Sequence, residues 1–267
     1  MKKILTTAIL CAGLVGFTAC DSFLDEDPKS SLTLDTYYKT SADIIGNVNY
    51  LYRDGAPDKM GNMTGAYRGS SLSVMNMVTG YFVNEYEGQE VDCSYARQLT
   101  RQDFTQSCCN YLTNDTWKSC YKSINVANAV IKYVDGVEMD NQAQYKAEAR
   151  FFRALNYFYL VKMFGDVPMV TEPTEDATLV EYPTRTAASE VFNTVIIPDL
   201  QFAVENLPNA TFAGNSHRVT KYAADMLLAD VYMRLGEYAN AVTPLKDVIN
   251  SGKFALATND NLAEGSA

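Results

Sequence analysis

AEARFFRALNYFYLVKMFGDVP, residues 147–168, carries apolar side chains at almost every helical angle. Phe151, Ala154, Leu155, Phe158 and Val161 share one face, while Phe152, Tyr159 and Met163 lie around the other. Gly165 and Pro168 close the stretch, the glycine by accepting a left-handed cap and the proline by refusing to continue a helix. A helix that is apolar all round must be covered from several directions. The sequence on either side should therefore supply helices to cover it.

It does. Downstream, a helix is predicted from about Thr186 to Asn206, with Val191, Val195, Leu200, Ala203 and Leu207 along it and Pro198 expected to bend it. Residues 221–252, KYAADMLLADVYMRLGEYANAVTPLKDVINSG, place Leu228, Ala229, Tyr232, Gly236, Tyr238, Ala241 and Leu245 close to tetratricopeptide spacing. Small Ala229 and Ala241 allow two antiparallel helices to approach, and Tyr232 is expected in the groove between them. Upstream, cap-type Asn114, Asp115 and Thr116 precede Trp117, Tyr121, Ile124, Ala127 or Asn128, and Ile131, one helical face. A further short helix is predicted over Ser41 to Arg53, capped by Ser41, with Ile44, Val48 and Leu51 apolar. Between these two helices, residues 54–113 are rich in glycine, polar residues and aromatics, with no sustained period. The prediction is an all-α fold of stacked tetratricopeptide-like helical hairpins with a long irregular loop segment.

The N-terminus reads differently. Lys2 and Lys3 precede a mostly apolar run, Ile4 to Phe17, that is shorter than the ~20 residues a membrane-spanning helix needs. Phe17-Thr18-Ala19-Cys20 resembles a bacterial lipobox, in which cleavage before the cysteine is followed by its lipidation. Residues 1–19 are expected to be a lipoprotein signal peptide and Cys20 the lipidated mature first residue. Several acyl chains on one residue hold a soluble domain at a membrane surface. Asp21, Asp25, Glu26 and Asp27 resemble the acidic tag that follows the lipidated cysteine in surface lipoproteins; a plain solvated tether is the alternative. Residues 20–40 form this tether and lead-in, and 41–267 the helical domain with its loop insertion at 54–113.

The formal net charge is −10, and loss of the two N-terminal lysines deepens it. Such acidity argues against nucleic-acid binding, which needs basic surface against phosphates. It equally leaves attachment to anionic lipid to the anchor. Cys93, Cys108, Cys109 and Cys120 do not follow zinc-ligand spacing. They read as one or two disulfides of an exported chain, or as small buried residues.

Chemical motifs are sparse. The one histidine, His217, excludes an HExxH zinc site and stands where a helix begins, which suits a capping or surface role. No GxSxG, GxGxxG or phosphate-loop motif occurs. Glu85, Glu87, Glu90 and Asp92 could in principle supply a glycosidase acid pair, but acids this dense on a loop usually face solvent. No catalytic residue, cofactor or metal ligand is assigned. Aromatics are plentiful instead, at 18 Tyr and 12 Phe. Within the irregular segment, Tyr67, Tyr81, Tyr86 and Tyr95 are candidates for stacking on sugar rings, against the general tendency of aromatics to serve packing.

Four stretches carry a family resemblance: CDSFLDEDPKSSLTLDTYYKT from Cys20; WKSCYKSINVANAVI from Trp117; the 147–170 stretch; and RVTKYAADMLLADVYMRLGEYANAV from Arg218, followed by INSGKFAL. In order and spacing the chain resembles the SusD/RagB family of surface lipoproteins. The resemblance implies capture of an oligosaccharide or polysaccharide at the outer face of the outer membrane, without cleavage, and delivery to a SusC-like TonB-dependent transporter. It transfers Cys20 as the lipidated residue and makes Trp117 part of a structural helix signature; the four tyrosines remain a choice from aromatic content and loop location. Two departures stand out. His217 replaces the family's usual glycine before Arg218, and members run to roughly twice this length, which implies a missing C-terminal half. An adaptor lipoprotein that binds a protein partner through its helices, an exported hydrolase, and a non-functional fragment are the alternatives.

Overall fold

The computed structural model describes residues 33–54, 79–80, 101–102, 115–174 and 183–256. The chain divides into two units, Met1–Tyr37 and Tyr38–Ala267. Of the first, the described part is one helical turn, Leu34–Tyr37, opened by a hydrogen bond from the Thr33 amide to Thr36 Oγ1. The second unit holds the helical scaffold.

Its α-helices among the described residues are α1, Ser41–Asp54; α2, Asp115–Tyr133; α3, Gln142–Phe164; α4, Ala188–Val191; α5, Ile197–Asn206; α6, Lys221–Arg234; and α7, Tyr238–Asn250. Among the described residues there is no β-strand, only an isolated bridge between Val167 and Thr186. The all-α expectation holds.

Ring and ion contacts fix the direction of each neighbour. Trp117 at the start of α2 meets Phe164 at the end of α3, and Gln142 at the start of α3 bonds the Val134 carbonyl just past α2. Phe192, Asp199 and Phe202 pair in reverse order with Phe158, Arg153 and Arg150 of α3. Lys221 at the start of α6 bonds Asp247 near the end of α7. Successive helices thus alternate in direction, as helical hairpins require.

α3 is the hub. It meets α1, α2, α4, α5 and α6. Phe151, Phe152, Ala154, Tyr157, Phe158, Leu160 and Val161 are all buried. The helix starts at Gln142, five residues ahead of the expected stretch, where the Gln142 side chain donates to the Val134 and Val137 carbonyls. It ends at Gly165, whose φ of 68° puts it in the left-handed region that glycine tolerates and whose N–H donates to the Val161 carbonyl. Pro168 lies beyond the helix, where its carbonyl accepts from the Tyr121 hydroxyl.

Two further local expectations are corrected. The cap of α1 is Thr40, one residue ahead of Ser41: Asp43 Oδ2 accepts from the Thr40 amide at 2.8 Å and its hydroxyl at 2.7 Å, a capping-box arrangement. The helix expected from Thr186 begins at Ala188, since Thr186 is committed to its bridge with Val167. Its irregularity appears as a π-turn, Phe192–Ile196, in the turn before Pro198, which cannot donate to the carbonyl four residues back. Val191, Val195, Leu200, Ala203 and Leu207 are buried as predicted. In α6, Leu228 and Ala229 are buried, and Tyr232 is half-buried with its hydroxyl accepting from Gln201 of α5.

Candidate ligand-binding surface

The residues between the end of α1 and the start of α2 join two helices that pack together; Lys122 of α2 sits over the Tyr50 ring of α1. The scaffold therefore holds both ends of the 54–113 segment at one place. Tyr67, Tyr81, Tyr86 and Tyr95 lie outside the described residues, as do Cys20, the Glu85–Asp92 acids, Cys93, Cys108 and Cys109. Cys120 is fully buried in α2 as a small core residue. Trp117 is half-buried against Tyr121 and Phe164, with the Arg185 guanidinium 5.9 Å from its ring centre, a packing role.

Two buried ionic networks lock the helices. In the first, Glu148 of α3 is fully buried and receives Arg218 Nε at 3.0 Å on both oxygens and Arg218 Nη2 at 2.5 Å. Tyr52 of α1 donates to the same carboxylate, Gln144 donates to its other oxygen, and Arg218 Nη1 reaches Asn49. Burial alone would lower the Arg218 pKa; the hydrogen bonds and charge of Glu148 overcome it and hold it above the ordinary value. The result ties α1, α3 and the lead-in to α6. In the second network, Arg153 grips Asp199 of α5 through two bonds, at 2.6 and 2.9 Å, and donates to Asn128 of α2. Asn128 then donates to the Val170 and Glu172 carbonyls, and Tyr157 bonds Val170 through both its N–H and C=O. The chain after α3 is pinned along α2 in this way. Sequence reasoning missed both networks. The signal that could have found them was a carboxylate and guanidinium groups within a helix that is apolar on nearly every side, since such charges persist there only when paired.

His217 lies on the surface with its ring edge-on to Phe212, as expected. Its φ is 62°, a conformation that favours glycine.

Two open depressions mark the described surface. A polar one of about 710 Å³ is lined by Ser41, Ile45, Glu138, Met139, Asp140, Asn141 and Tyr145. An apolar one of about 350 Å³ lies between Phe212, Tyr222, Met226, Val248 and Phe254. Among the described residues, no cluster of three or more His, Cys, Asp or Glu could hold a metal ion.

Comparison with known proteins decides the family. The SusD-like family described as "Starch-binding associating with outer membrane" matches residues 22–233. The chain belongs to the SusD-like family. A SusD-like protein of Formosa agariphila, P2, is 29% identical over 254 residues, covering 94% of this chain and 47% of that protein. A SusD-like protein of Bacteroides ovatus is 29% identical over 248 residues, covering 90% of this chain and 40% of that protein. This SusD-like chain spans about half the length of the curated relatives it matches. Solved folds agree. A laminarin-binding SusD-like protein superposes with a TM-score of 0.65 at 24% identity, over 79% of this chain and 44% of its own. Surface glycan-binding protein A from Bacteroides fluxus gives 0.64 at 23% identity, over 82% of this chain and 46% of its own. The stacked helical hairpins are thus the SusD-like fold.

Proposed function

We propose that this SusD-like chain belongs to a cell-surface lipoprotein that captures glycans and passes them to a SusC-like TonB-dependent transporter. The family match over residues 22–233 carries the reading. The named specificities of relatives, laminarin binding and surface glycan binding among them, support a carbohydrate ligand. In this reading the protein binds oligosaccharide or polysaccharide without cleaving it. Cys20 is the lipid-anchored residue at the outer membrane, facing the cell exterior. Tyr67, Tyr81, Tyr86 and Tyr95, on the segment whose ends α1 and α2 hold together, provide the faces on which sugar rings stack, with polar neighbours bonding hydroxyls.

Affinity gel electrophoresis against a polysaccharide panel that includes laminarin and starch tests the proposal. Retarded migration in at least one gel is expected, lost when Tyr81, Tyr86 and Tyr95 are replaced together by Ala in a protein of unchanged circular dichroism. Retardation by none of the panel would overturn glycan capture. Retardation that survives the triple change would acquit those tyrosines. For the partner, mild-detergent pull-down from outer membranes should recover a TonB-dependent barrel in stoichiometric amount.

A further inference from the structure

Two costly features of the fold converge on one place. Ser216 and His217 are successive non-glycine residues in the left-handed region, at φ of 51° and 62°. Glu148 is a carboxylate with no exposure to water. Neither is a route to stability. Left-handed backbone persists at non-glycine residues only where the surroundings over-determine it, and a buried ion pair often holds a fold no better than the apolar packing that could replace it. What both features secure is the position of Arg218.

The turn aims that side chain. The His217 amide donates to the Phe212 carbonyl and the Arg218 amide to that of Asn215, each at 2.9 Å. Asn215 Nδ2 bonds the Val219 carbonyl at 2.9 Å, so the backbone is fixed on both sides of Arg218. From there the guanidinium reaches two elements: Nε and Nη2 go to Glu148 of α3, and Nη1 to Asn49 of α1 at 2.8 Å. It also lies 4.7 Å from the centre of the Tyr52 ring. The Tyr52 hydroxyl donates to Glu148 and accepts from the Val219 amide at 2.9 Å. Asn49 and Tyr52 share one face near the end of α1. That end is thereby held by residues 218–219 and Glu148, far from it in the chain.

We infer that Arg218 is a positioning residue for ligand binding, fixing through Asn49, Tyr52 and Glu148 the end of α1 from which the segment bearing Tyr67, Tyr81, Tyr86 and Tyr95 continues. The inference rests on the glycan reading for its ligand; the positioning rests on the contacts themselves.

The full chain carrying Cys20→Ser, which removes the anchor site, tests it by amide hydrogen exchange without ligand and by affinity gel. Arg218→Lys keeps a charge for Glu148 but loses the flat fork that spans Glu148 and Asn49. Exchange at Leu51 and Tyr52 should rise ~10-fold or more, with α3 and α5 amides unchanged. Affinity for the polysaccharide that retards the parent should fall ~5-fold or more. Asn49→Ala, which leaves the buried pair intact, should shift both readings the same way by ~3-fold. Tyr157→Phe, which loses hydrogen bonds to Val170 and none to α1, should move neither. Unchanged exchange in α1, a rise shared equally by α3 and α5, or a loosened α1 with unaltered affinity would each overturn the inference. A parent chain retarded by no polysaccharide would sink the glycan reading and the ligand role with it, while exchange alone still decides whether Arg218 fixes α1.

Discussion

Arg153 and Asp199 show at the scale of single residues why buried charge is tolerated here. Asp199 is nearly fully buried, and burial pushes its pKa up while the Arg153 guanidinium pulls it back. Removing one partner strands the other, so Asp199→Ala should cost about 3–5 kcal/mol in chemical denaturation. Replacing both, as Arg153→Met with Asp199→Leu, should recover only part of that loss, because an apolar pair avoids the desolvation of both ions but leaves Asn128 Oδ1 without its donor and Arg150 without its carboxylate. Three phenols make a different statement about pH. Burial pushes the Tyr157 pKa up to about 12, and burial also raises those of Tyr52 and Tyr121, with the Glu148 charge adding to the rise at Tyr52. The folded state keeps protons that the unfolded chain releases above pH ~10. Their contribution to stability is thus fully present below ~10 and is lost as pH rises through the folded values. Thermal melts from pH 9 to 12, followed alongside phenolate absorbance, should show the melting temperature falling as these tyrosines ionise. A flat profile would contradict the assignment.

At the scale of elements, what could be read from sequence depended on locality. Periodicity gave α1, α2, α3 and the α6–α7 hairpin, and the inward residues of α5, because each rests on spacing within one helix. The cap of α1 was misplaced by one residue, since Thr40 and Ser41 are equally good cap residues and only the Asp43 carboxylate decides between them. The π-turn before Pro198 and the Glu148–Arg218 pair were not legible. Pro198 marks a local irregularity without fixing its form as a π-turn, and the ion pair depends on partners 70 residues apart in the sequence. The connection between α5 and α6 illustrates a local rule that a non-glycine residue resists: His217 holds a left-handed backbone that costs an L-residue ~1–2 kcal/mol. Glycine relieves that strain but gains freedom in the unfolded chain, so His217→Gly should stabilise by a net ~0.5–1 kcal/mol, read as a raised denaturation midpoint. The segment after α3 offers a second test. Tyr157→Phe removes both hydrogen bonds to Val170 and should cost about 1–3 kcal/mol, with markedly faster hydrogen exchange at the Val170 amide.

For the whole molecule, the fold class and family were legible because four separated stretches agree on one architecture. The candidate site was not, since ring stacking on a sugar leaves no periodic trace in a loop and any tyrosine there is compatible with packing. The proposed anchor is testable at this scale. Cys20→Ala should move the protein from the membrane fraction to the soluble one, because the acidic surface offers anionic lipid no electrostatic hold. Membrane retention of that variant would point to attachment by other means.

The burial of α3 on most of its sides governs how this polypeptide can be handled before it folds. Until residues as far as Asn206 are present, the FFRALNYFYLVKMF stretch has nothing to lie against on its α5 side and stays adhesive. Hairpin-by-hairpin assembly, open to repeat proteins whose units touch only their neighbours, is closed to it. A shortened version that keeps α3 and stops near residue 174 should precipitate on expression, which sets a lower limit on any minimal domain cut from this sequence.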